Sequence, residues 1–115
     1  MNQQDLVWVR LSYSNLKESK VRPAVVVSND SYNKGSPDIV VCAGTSKLQE
    51  DTYGIPIENK DLIDGNLPIM SRVRADKIMQ IDKSLVIRPF ARLAHKSFDK
   101  VANKIMLLVK REKKS

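Results

Sequence analysis

The sequence predicts a single, mainly β domain that ends in a C-terminal helix. Short apolar runs separated by turn-forming residues extend from Leu6 to Leu93. Between His95 and Arg111 the hydrophobic period then changes from about two residues to about 3.6. The chain has 115 residues, the size of one domain. Several short strands followed by one helix are typical of a small barrel-like β fold.

The first strand is predicted at Leu6–Leu11, where side chains alternate between two faces. Tyr13–Lys20 is polar, lacks both hydrophobic periods and is predicted as a loop. The strand around which the domain is organised follows at Val21–Ser28, because β-branched residues favour extended backbone. A proline is tolerated at the start of a strand, so Arg22 should lie at its entrance beside the rigid Pro23.

The middle of the chain contains an interior strand and an edge strand. Residues 29–37 are dense in turn formers and predict a turn. Ile39–Ala43 is apolar on both faces, which indicates an interior strand, and it leads into Gly44-Thr45-Ser46. Residues 47–53 form a predicted polar loop. Ile55–Ile57 predicts a short strand at an edge, because it contains a proline.

The remaining strands precede the helix. Asp64–Asn66 predicts a turn, and Leu67–Ala75 predicts a strand that continues in extended form through residues 77–81. Residues 82–84 predict another turn. Leu85–Leu93 is the last predicted strand, so the strands together cover about residues 6–93.

The C-terminal helix is predicted over about residues 95–111. Ser97 is a candidate N-cap. Lysines occupy the face opposite the apolar stripe, which predicts that the stripe docks on the barrel. The stripe consists of Phe98, Val101, Ala102, Ile105, Met106, Leu108 and Val109.

Composition limits the class of protein. The single cysteine, Cys42, excludes an internal disulfide and lies in an apolar run, so we expect a buried, unreactive thiol. One histidine and one cysteine cannot form an ordinary zinc site. There is no signal peptide and no apolar stretch near the roughly 20 residues of a membrane span. We therefore expect a soluble, cytoplasmic protein with no membrane association.

The net charge of +7 is unevenly distributed. Residues 96–115 contain seven basic and two acidic residues, whereas residues 36–66 contain two basic and six acidic residues. Residues 67–95, with six basic and two acidic residues, form a basic block among predicted strands. A basic surface permits binding to nucleic-acid phosphates, although a lysine-rich terminal helix is more often only a solvated face.

A small polar set at predicted strand ends is the candidate site. It consists of Arg22, Thr45, Ser46, Arg74 and Asp76. Arg72, Arg74 and Asp76 share one strand face through their spacing of two residues. These residue types suit transesterification of RNA, in which a base deprotonates the 2′-hydroxyl, an acid protonates the leaving oxygen and donors stabilise the phosphorane. The simpler interpretation is a surface ion pair between Asp76 and Arg74 or Lys77.

The chain also resembles the MazF/PemK/Kid family of toxin endoribonucleases over nearly its whole length. The residues that carry the resemblance are Asp5-Leu-Val-Trp-Val9, Val21-Arg22-Pro23-Ala-Val-Val-Val27-Ser-Asn-Asp30, Tyr32-Asn33, Ile39-Val-Val-Cys-Ala-Gly-Thr45-Ser46, Arg74-Ala-Asp76-Lys-Ile-Met-Gln-Ile-Asp-Lys83 and Phe90-Ala-Arg-Leu93. The sequence departs from the family pattern in the segment before Arg22, at Gln3-Gln4 where the family usually has Arg-Gly, and at Lys77 and Met79.

The resemblance implies an SH3-like barrel of the CcdB/MazF type and a homodimer. It also implies metal-independent cleavage of single-stranded RNA that leaves 2′,3′-cyclic phosphate and 5′-hydroxyl ends, with no cofactor. The implied catalytic residues are Arg22, Thr45, Arg74 and Asp76, and we expect Ser46, Arg72 and Lys77 to bind the substrate. A small antitoxin protein would inhibit the toxin by covering its groove with an acidic segment.

Two other classes remain open from the sequence. One is a non-enzymatic relative, either a CcdB-like gyrase inhibitor or a protein that only binds antitoxin and operator DNA. The other is a plain SH3-like binding module that uses the basic block for phosphate contacts. Neither class requires Arg22, Thr45 and Asp76 together, whereas the ribonuclease hypothesis does. The presence of this set therefore separates the hypotheses.

Overall fold

The computed structural model describes residues 1–12, 19–47, 51–68 and 71–113. These residues form a curled antiparallel sheet of seven strands in the order β4-β6-β3-β2-β1-β7-β5, with a C-terminal helix. The predicted mainly β class is thus confirmed. The strands are β1 (Asp5–Ser12), β2 (Ser19–Val26), β3 (Asp38–Thr45), β4 (Gly54–Ile57), β5 (Leu62–Gly65), β6 (Ser71–Asp82) and β7 (Val86–Leu93). The helices are α1 (Asp30–Gly35) and α2 (His95–Val109), and 3-10 turns occupy Asn59–Asp61 and Lys83–Leu85.

The centre of the sheet follows the alternation of the sequence. On β2, Val25 packs into the core on one face, and Ala24 and Val26 pack into the core on the other. Both faces of β2 are therefore buried along Ala24–Val26, which explains the continuous valine run. β2 begins two residues before the predicted strand and pairs Lys20 with Leu11, so Lys20 is not in a loop. Residues 13–18 of that predicted loop lie outside the described part of the chain.

The turn predicted over residues 29–37 contains a short helix, α1. The Asn29 side chain caps it by accepting a hydrogen bond of 2.8 Å from the backbone N–H of Tyr32. Asn33 is buried and donates through Nδ2 to the Ser28 carbonyl at 3.0 Å. Turn-forming residues are also good helix caps, so the local sequence pattern did not distinguish a turn from a short capped helix.

The turn predicted at Asp64–Asn66 is wrong, because Asp64 and Gly65 belong to strand β5. β5 pairs with β7 through Leu62 and Leu93 and through Asp64 and Arg92. This pairing between distant segments overrides the local turn preference. The strand predicted to start at Leu67 starts instead at Ser71, as the first residue of β6.

Helix α2 is confirmed, with three corrections. The helix begins at His95, so its N-cap is Ala94 and Ser97 lies within the first turn, where its hydroxyl donates to Asp61 Oδ1 at 3.2 Å. It ends at Val109, two residues before the predicted end. The apolar stripe docks from Phe98 to Ile105 and not over the last turn. Phe98 and Val101 are buried in the core, whereas Met106, Leu107, Leu108 and Val109 are exposed.

Cys42 is fully buried on β3, as predicted, and burial raises the pKa of its thiol to about 12. The thiol is therefore protonated at physiological pH and is a poor nucleophile. Among the described residues, neither helix is long and apolar enough to cross a membrane.

Candidate active site

The site is built where β6 separates from β3. Cys42 on β3 pairs with Ile78, but Gly44, two residues later, pairs with Val73. Residues 74–77 of β6 therefore bulge opposite the single residue Ala43. Bulges re-aim side chains and are frequent beside functional sites. This one brings a basic segment next to the end of β3.

Edge strand β4 supports the bulge. Gly54 pairs with Arg74, and the Ala75 N–H donates to the Tyr53 carbonyl at 3.0 Å. The first two displaced residues, Arg74 and Ala75, thus pair with β4 and with Tyr53, the residue before it. The side chains of Arg74 and Ala75 are held by backbone pairing and do not lie on a free loop.

A cleft of about 330 Å³, here called the cationic cleft, opens beside this bulge. Arg22 reaches it from β2 and Thr45 from β3, and Arg74 and Lys77 reach it from β6. Lys47 and the backbone at Ala43 and Gly44 complete its lining. The cleft thus collects four cationic side chains and a hydroxyl, a composition suited to an anionic ligand.

Arg74 and Asp76 form a bidentate ion pair. Arg74 Nη2 lies 2.9 Å from Asp76 Oδ2, and Arg74 Nε lies 3.3 Å from Asp76 Oδ1. Hydrogen bonding from Arg74 lowers the pKa of the Asp76 carboxyl below its ordinary value, and the same contact raises the pKa of Arg74. Both groups are therefore charged at neutral pH. Each side chain is about one-third exposed (33% and 32%), so the pair is accessible to a ligand.

Gly44 allows the end of β3 to approach β2 closely. A Cβ atom at this position would lie 3.2 Å from both Pro23 Cγ and the Pro23 carbonyl oxygen. A side chain here would need Pro23 to shift by a few tenths of an ångström. Glycine thus favours the close approach of the two strands.

A second cavity, of about 180 Å³, adjoins the first and is here called the aromatic pocket. It shares Arg22, Gly44 and Thr45 with the cationic cleft and also includes Ser46. Its other walls are apolar and consist of Trp8, Val21, Pro23, Leu67, Pro68 and Phe90. The rings of Trp8 and Phe90 stack with centroids 4.5 Å apart and planes inclined by 24°.

The predicted site residues do not all meet in one place. Arg22, Thr45, Arg74 and Lys77 line the cationic cleft, and Asp76 is joined to it through Arg74. Ser46 lies in the aromatic pocket. Arg72 is not among the described residues that line either cavity. It is buried, and its Nη2 donates to the Gly54 carbonyl at 3.2 Å, so it holds β4 against β6.

Sequence reasoning missed two parts of the site. Lys47 belongs to a segment with net negative charge, so nothing in the pattern singled it out. The walls of the aromatic pocket come from β1, β2, β7 and the segment before β6, and only their tertiary arrangement brings them together. Trp8 and Phe90 nevertheless lie in segments that carried the family resemblance.

The only histidine lies away from both cavities. His95 is exposed at the start of α2, and its Nδ1 lies 2.9 Å from Gln4 Nε2. Gln4 Nε2 also donates to the Leu93 carbonyl at 2.9 Å. These contacts connect the start of the chain to the start of α2, so His95 has a structural role.

The fold and the site define a small β domain with a cationic cleft beside the end of its interior strand β3. The family model for PemK-like, MazF-like toxins of type II toxin–antitoxin systems matches residues 2–109, and the chain belongs to this family. The resemblance seen in the sequence is thereby confirmed. No curated protein matches the sequence.

Several solved structures share the fold. The structure is similar to a MazE–MazF crystal structure from Deinococcus radiodurans, with a TM-score of 0.80, 20% identity and coverage of 97% of this chain and 98% of that chain. A mycobacterial endoribonuclease in complex with its cognate antitoxin gives a TM-score of 0.78, 17% identity and coverage of 97% and 99%. The Mycobacterium tuberculosis toxin MazF-mt6 gives a TM-score of 0.75, 17% identity and coverage of 94% of this chain and 98% of that chain. The MazF-type barrel predicted from the resemblance is confirmed.

Proposed function

We propose that this toxin is a cytoplasmic, metal-independent endoribonuclease that cleaves single-stranded RNA to 2′,3′-cyclic phosphate and 5′-hydroxyl ends. The observation that carries the proposal is the meeting of Arg22, Thr45 and Arg74 in one cationic cleft. They come from three different strands. A phosphodiester in this cleft would meet charged donors from more than one side, and the nucleophile is supplied by the RNA itself.

The carboxylate of Asp76 is the proposed base. It takes the proton of the 2′-hydroxyl, and the 2′-oxygen attacks the adjacent phosphorus. The lowered pKa keeps Asp76 ionised at neutral pH, so the base is in its active form. The same shift makes it a weaker base, so the rate depends on how well the cleft stabilises the phosphorane.

Arg74 is the proposed acid. As the bond from phosphorus to the 5′-oxygen breaks, the departing oxygen takes a proton from Arg74. The raised pKa of Arg74 means that only a strongly basic alkoxide can do so. The step leaves Asp76 protonated and Arg74 neutral. Because their side chains are 2.9 Å apart, one proton transfer across the ion pair restores both groups.

Arg22 and Thr45 are the proposed stabilisers of the phosphorane, and Lys77 is proposed to bind the substrate. Arg22 is the fourth residue of β2, next to Pro23, in the register that pairs it with Val9, so it lies within the strand and not at the predicted entrance. Thr45 lies at the end of β3, where Gly44 packs on Pro23. These positions are fixed by the sheet before substrate binds, and preorganised donors of this kind contribute strongly to catalysis. Ser46 and Arg72 are proposed to contribute to substrate binding, Ser46 at the pocket and Arg72 by holding β4.

The direct test is RNA cleavage in excess chelator, followed by mapping of the fragment ends. We expect the wild type to produce cyclic phosphate and 5′-hydroxyl ends. Arg22→Ala should reduce the rate by about 10²–10³-fold, as expected for loss of one transition-state donor. Asp76→Asn should reduce it by about 10²–10⁴-fold.

Lys34→Ala is the matched control, because Lys34 is an exposed cation in the last turn of α1, outside the residues that line the cleft. It should cleave at the wild-type rate. Cleavage that survives in both Arg22→Ala and Asp76→Asn would reject the site. Cleavage lost on adding chelator would reject the mechanism. Intact RNA together with inhibited DNA gyrase would favour the CcdB-like alternative.

We also propose that a small cognate antitoxin inhibits this toxin by binding across the cationic cleft. The similar mycobacterial endoribonuclease was solved in complex with its cognate antitoxin, and the similar Deinococcus radiodurans structure contains MazE together with MazF. An extended acidic segment would complement Arg22, Arg74 and Lys77. A synthetic acidic peptide should compete with RNA for the cleft. The Lys77→Glu variant should bind both the peptide and RNA with lower affinity. Equal peptide affinity for wild type and Lys77→Glu would contradict this proposal.

The homodimer implied by the family resemblance is likewise a proposal. The exposed apolar side chains at the end of α2, from Met106 to Val109, are compatible with a further contact. Analytical ultracentrifugation at increasing concentration tests it. A sedimentation coefficient that stays at the monomer value over the whole range would reject the dimer.

A further inference from the structure

We propose that the aromatic pocket binds one nucleobase of the RNA, the base adjacent to the phosphodiester held in the cationic cleft. This inference rests on the proposed ribonuclease function and adds a position where the enzyme contacts a base. The pocket is a separate cavity from the cleft, although the two share three residues.

The walls of the pocket have the chemistry that base binding needs. Trp8 and Phe90 are half-buried and stacked on each other, so both rings are held rigidly. Pro23 and Leu67 add apolar surface, and Pro68 adds a rigid ring beside them. Proteins bind unpaired bases by stacking them on aromatic side chains next to cationic groups that hold the phosphates.

Continuity with the cationic cleft fixes which base would be bound. Arg22, Gly44 and Thr45 line both cavities, so a phosphate on Arg22 is also at the mouth of the pocket. Because a nucleotide's base is joined to its phosphate through one sugar, the base next to this phosphate can reach the pocket. The pocket's volume of about 180 Å³ is suited to a single base and not to a run of stacked bases.

Two hydroxyls at the pocket are placed to distinguish one base from another. Thr45 and Ser46 both line it, and a hydroxyl can donate or accept a hydrogen bond. Stacking on the apolar walls would accept any base, whereas these hydroxyls would favour bases with a complementary edge. Ser46 is thereby assigned a role in sequence preference, separate from the phosphate contacts of Arg22.

The single tryptophan of the chain gives a direct readout, because Trp8 lines the pocket. The probe is a short oligodeoxyribonucleotide, which lacks the 2′-hydroxyl and is therefore not cleaved. It is compared with an abasic strand of the same length and charge. We expect the base-bearing strand to quench Trp8 fluorescence and to bind about fivefold or more tightly than the abasic strand, as loss of one stacked base predicts.

A matched pair of variants locates the effect. Phe90→Leu retains apolar volume but removes one ring, so it should reduce the difference between the two strands while the abasic strand binds as before. Tyr32→Leu removes an exposed aromatic ring on α1, which lies outside the pocket lining, and should change neither affinity. Thermal melts of both variants confirm folding. The comparison of the two strands on wild type does not depend on either variant.

The outcomes distinguish this inference from the function on which it rests. Equal binding and equal quenching by the two strands, with RNA cleavage intact, would overturn the base site alone. Absence of binding by both strands together with absence of RNA cleavage would overturn both proposals. A Trp8 response to an acidic leucine-containing peptide, without a response to the base-bearing strand, would assign the pocket to a polypeptide and also overturn the inference.

Discussion

Arg74 donates hydrogen bonds from two nitrogen atoms to the carboxylate of Asp76, at 2.9 and 3.3 Å, and the two residues are two positions apart on β6. Strand residues two positions apart share a face, and the bulge at residues 74–77 turns this face towards the end of β3. The pair therefore combines a carboxylate that is ionised with an arginine whose orientation is fixed.

Removal of Arg74 should raise the pKa of Asp76. In the wild type the pKa of Asp76 lies below the ordinary aspartate value, chiefly because Arg74 donates a hydrogen bond to the carboxylate. The pair thus stabilises the fold above the ordinary carboxyl pKa, and this contribution is lost as pH falls through the folded-state value. NMR titration of Arg74→Gln should show the pKa of Asp76 shifted up towards the ordinary aspartate value. Lys34→Gln is the charge-matched control, and an unshifted Asp76 in Arg74→Gln would refute the assignment.

Gln4 should tolerate glycine better than alanine. Its φ of 82° lies in the left-handed region that favours glycine, and its side chain compensates by bonding to the Leu93 carbonyl and to His95. Gln4→Ala loses these bonds and keeps the strain, so the free energy of unfolding should fall by about 1–3 kcal/mol. Gln4→Gly loses the same bonds but relieves the strain of about 1–2 kcal/mol. Denaturant unfolding measures both variants, and a glycine variant less stable than the alanine variant would contradict this account.

Gly65 should not accept a side chain. Its φ is +80°, and an added Cβ would lie 2.3 Å from the carbonyl oxygen of Phe90. Gly65→Ala should therefore destabilise the fold by more than the roughly 1–2 kcal/mol of left-handed strain alone, because β5 must also shift away from β7. Gly35→Ala is the control, because an added Cβ there meets nothing within 4 Å. Thermal unfolding should separate the two variants, and equal melting temperatures would count against the packing described.

Two leucines near opposite ends of the C-terminal region should respond very differently to truncation. Leu93 is completely buried between the sheet and α2, whereas Leu108 is 37% exposed. Leu93→Ala should lower the free energy of unfolding by about 2–5 kcal/mol through lost burial and a cavity. Leu108→Ala should change it by less than about 0.5 kcal/mol in the monomer. A large effect at Leu108 that depends on protein concentration would indicate instead that an oligomer covers it.

The sequence predicted most strands and the C-terminal helix, because hydrophobic periodicity is a local property of the chain. It also identified Arg22, Thr45 and Arg74, which the structure brings into one cleft. It failed at residues 30–35 and at Asp64–Gly65, where local turn preferences are compatible with a capped helix or with pairing to a distant strand. The spacing of Arg72, Arg74 and Asp76 suggested one shared face directed at the site, but Arg72 is buried beside Gly54.

What the sequence alone determined is therefore the kind of elements, their order, and the membership of the chain in the toxin family. Only the tertiary structure decided how these elements meet. The register between β3 and β6, the bulge opposite Ala43 and the joining of Trp8 to Phe90 depend on contacts between segments far apart in the chain. Such contacts result from packing the whole sheet, and no local pattern of residues encodes them.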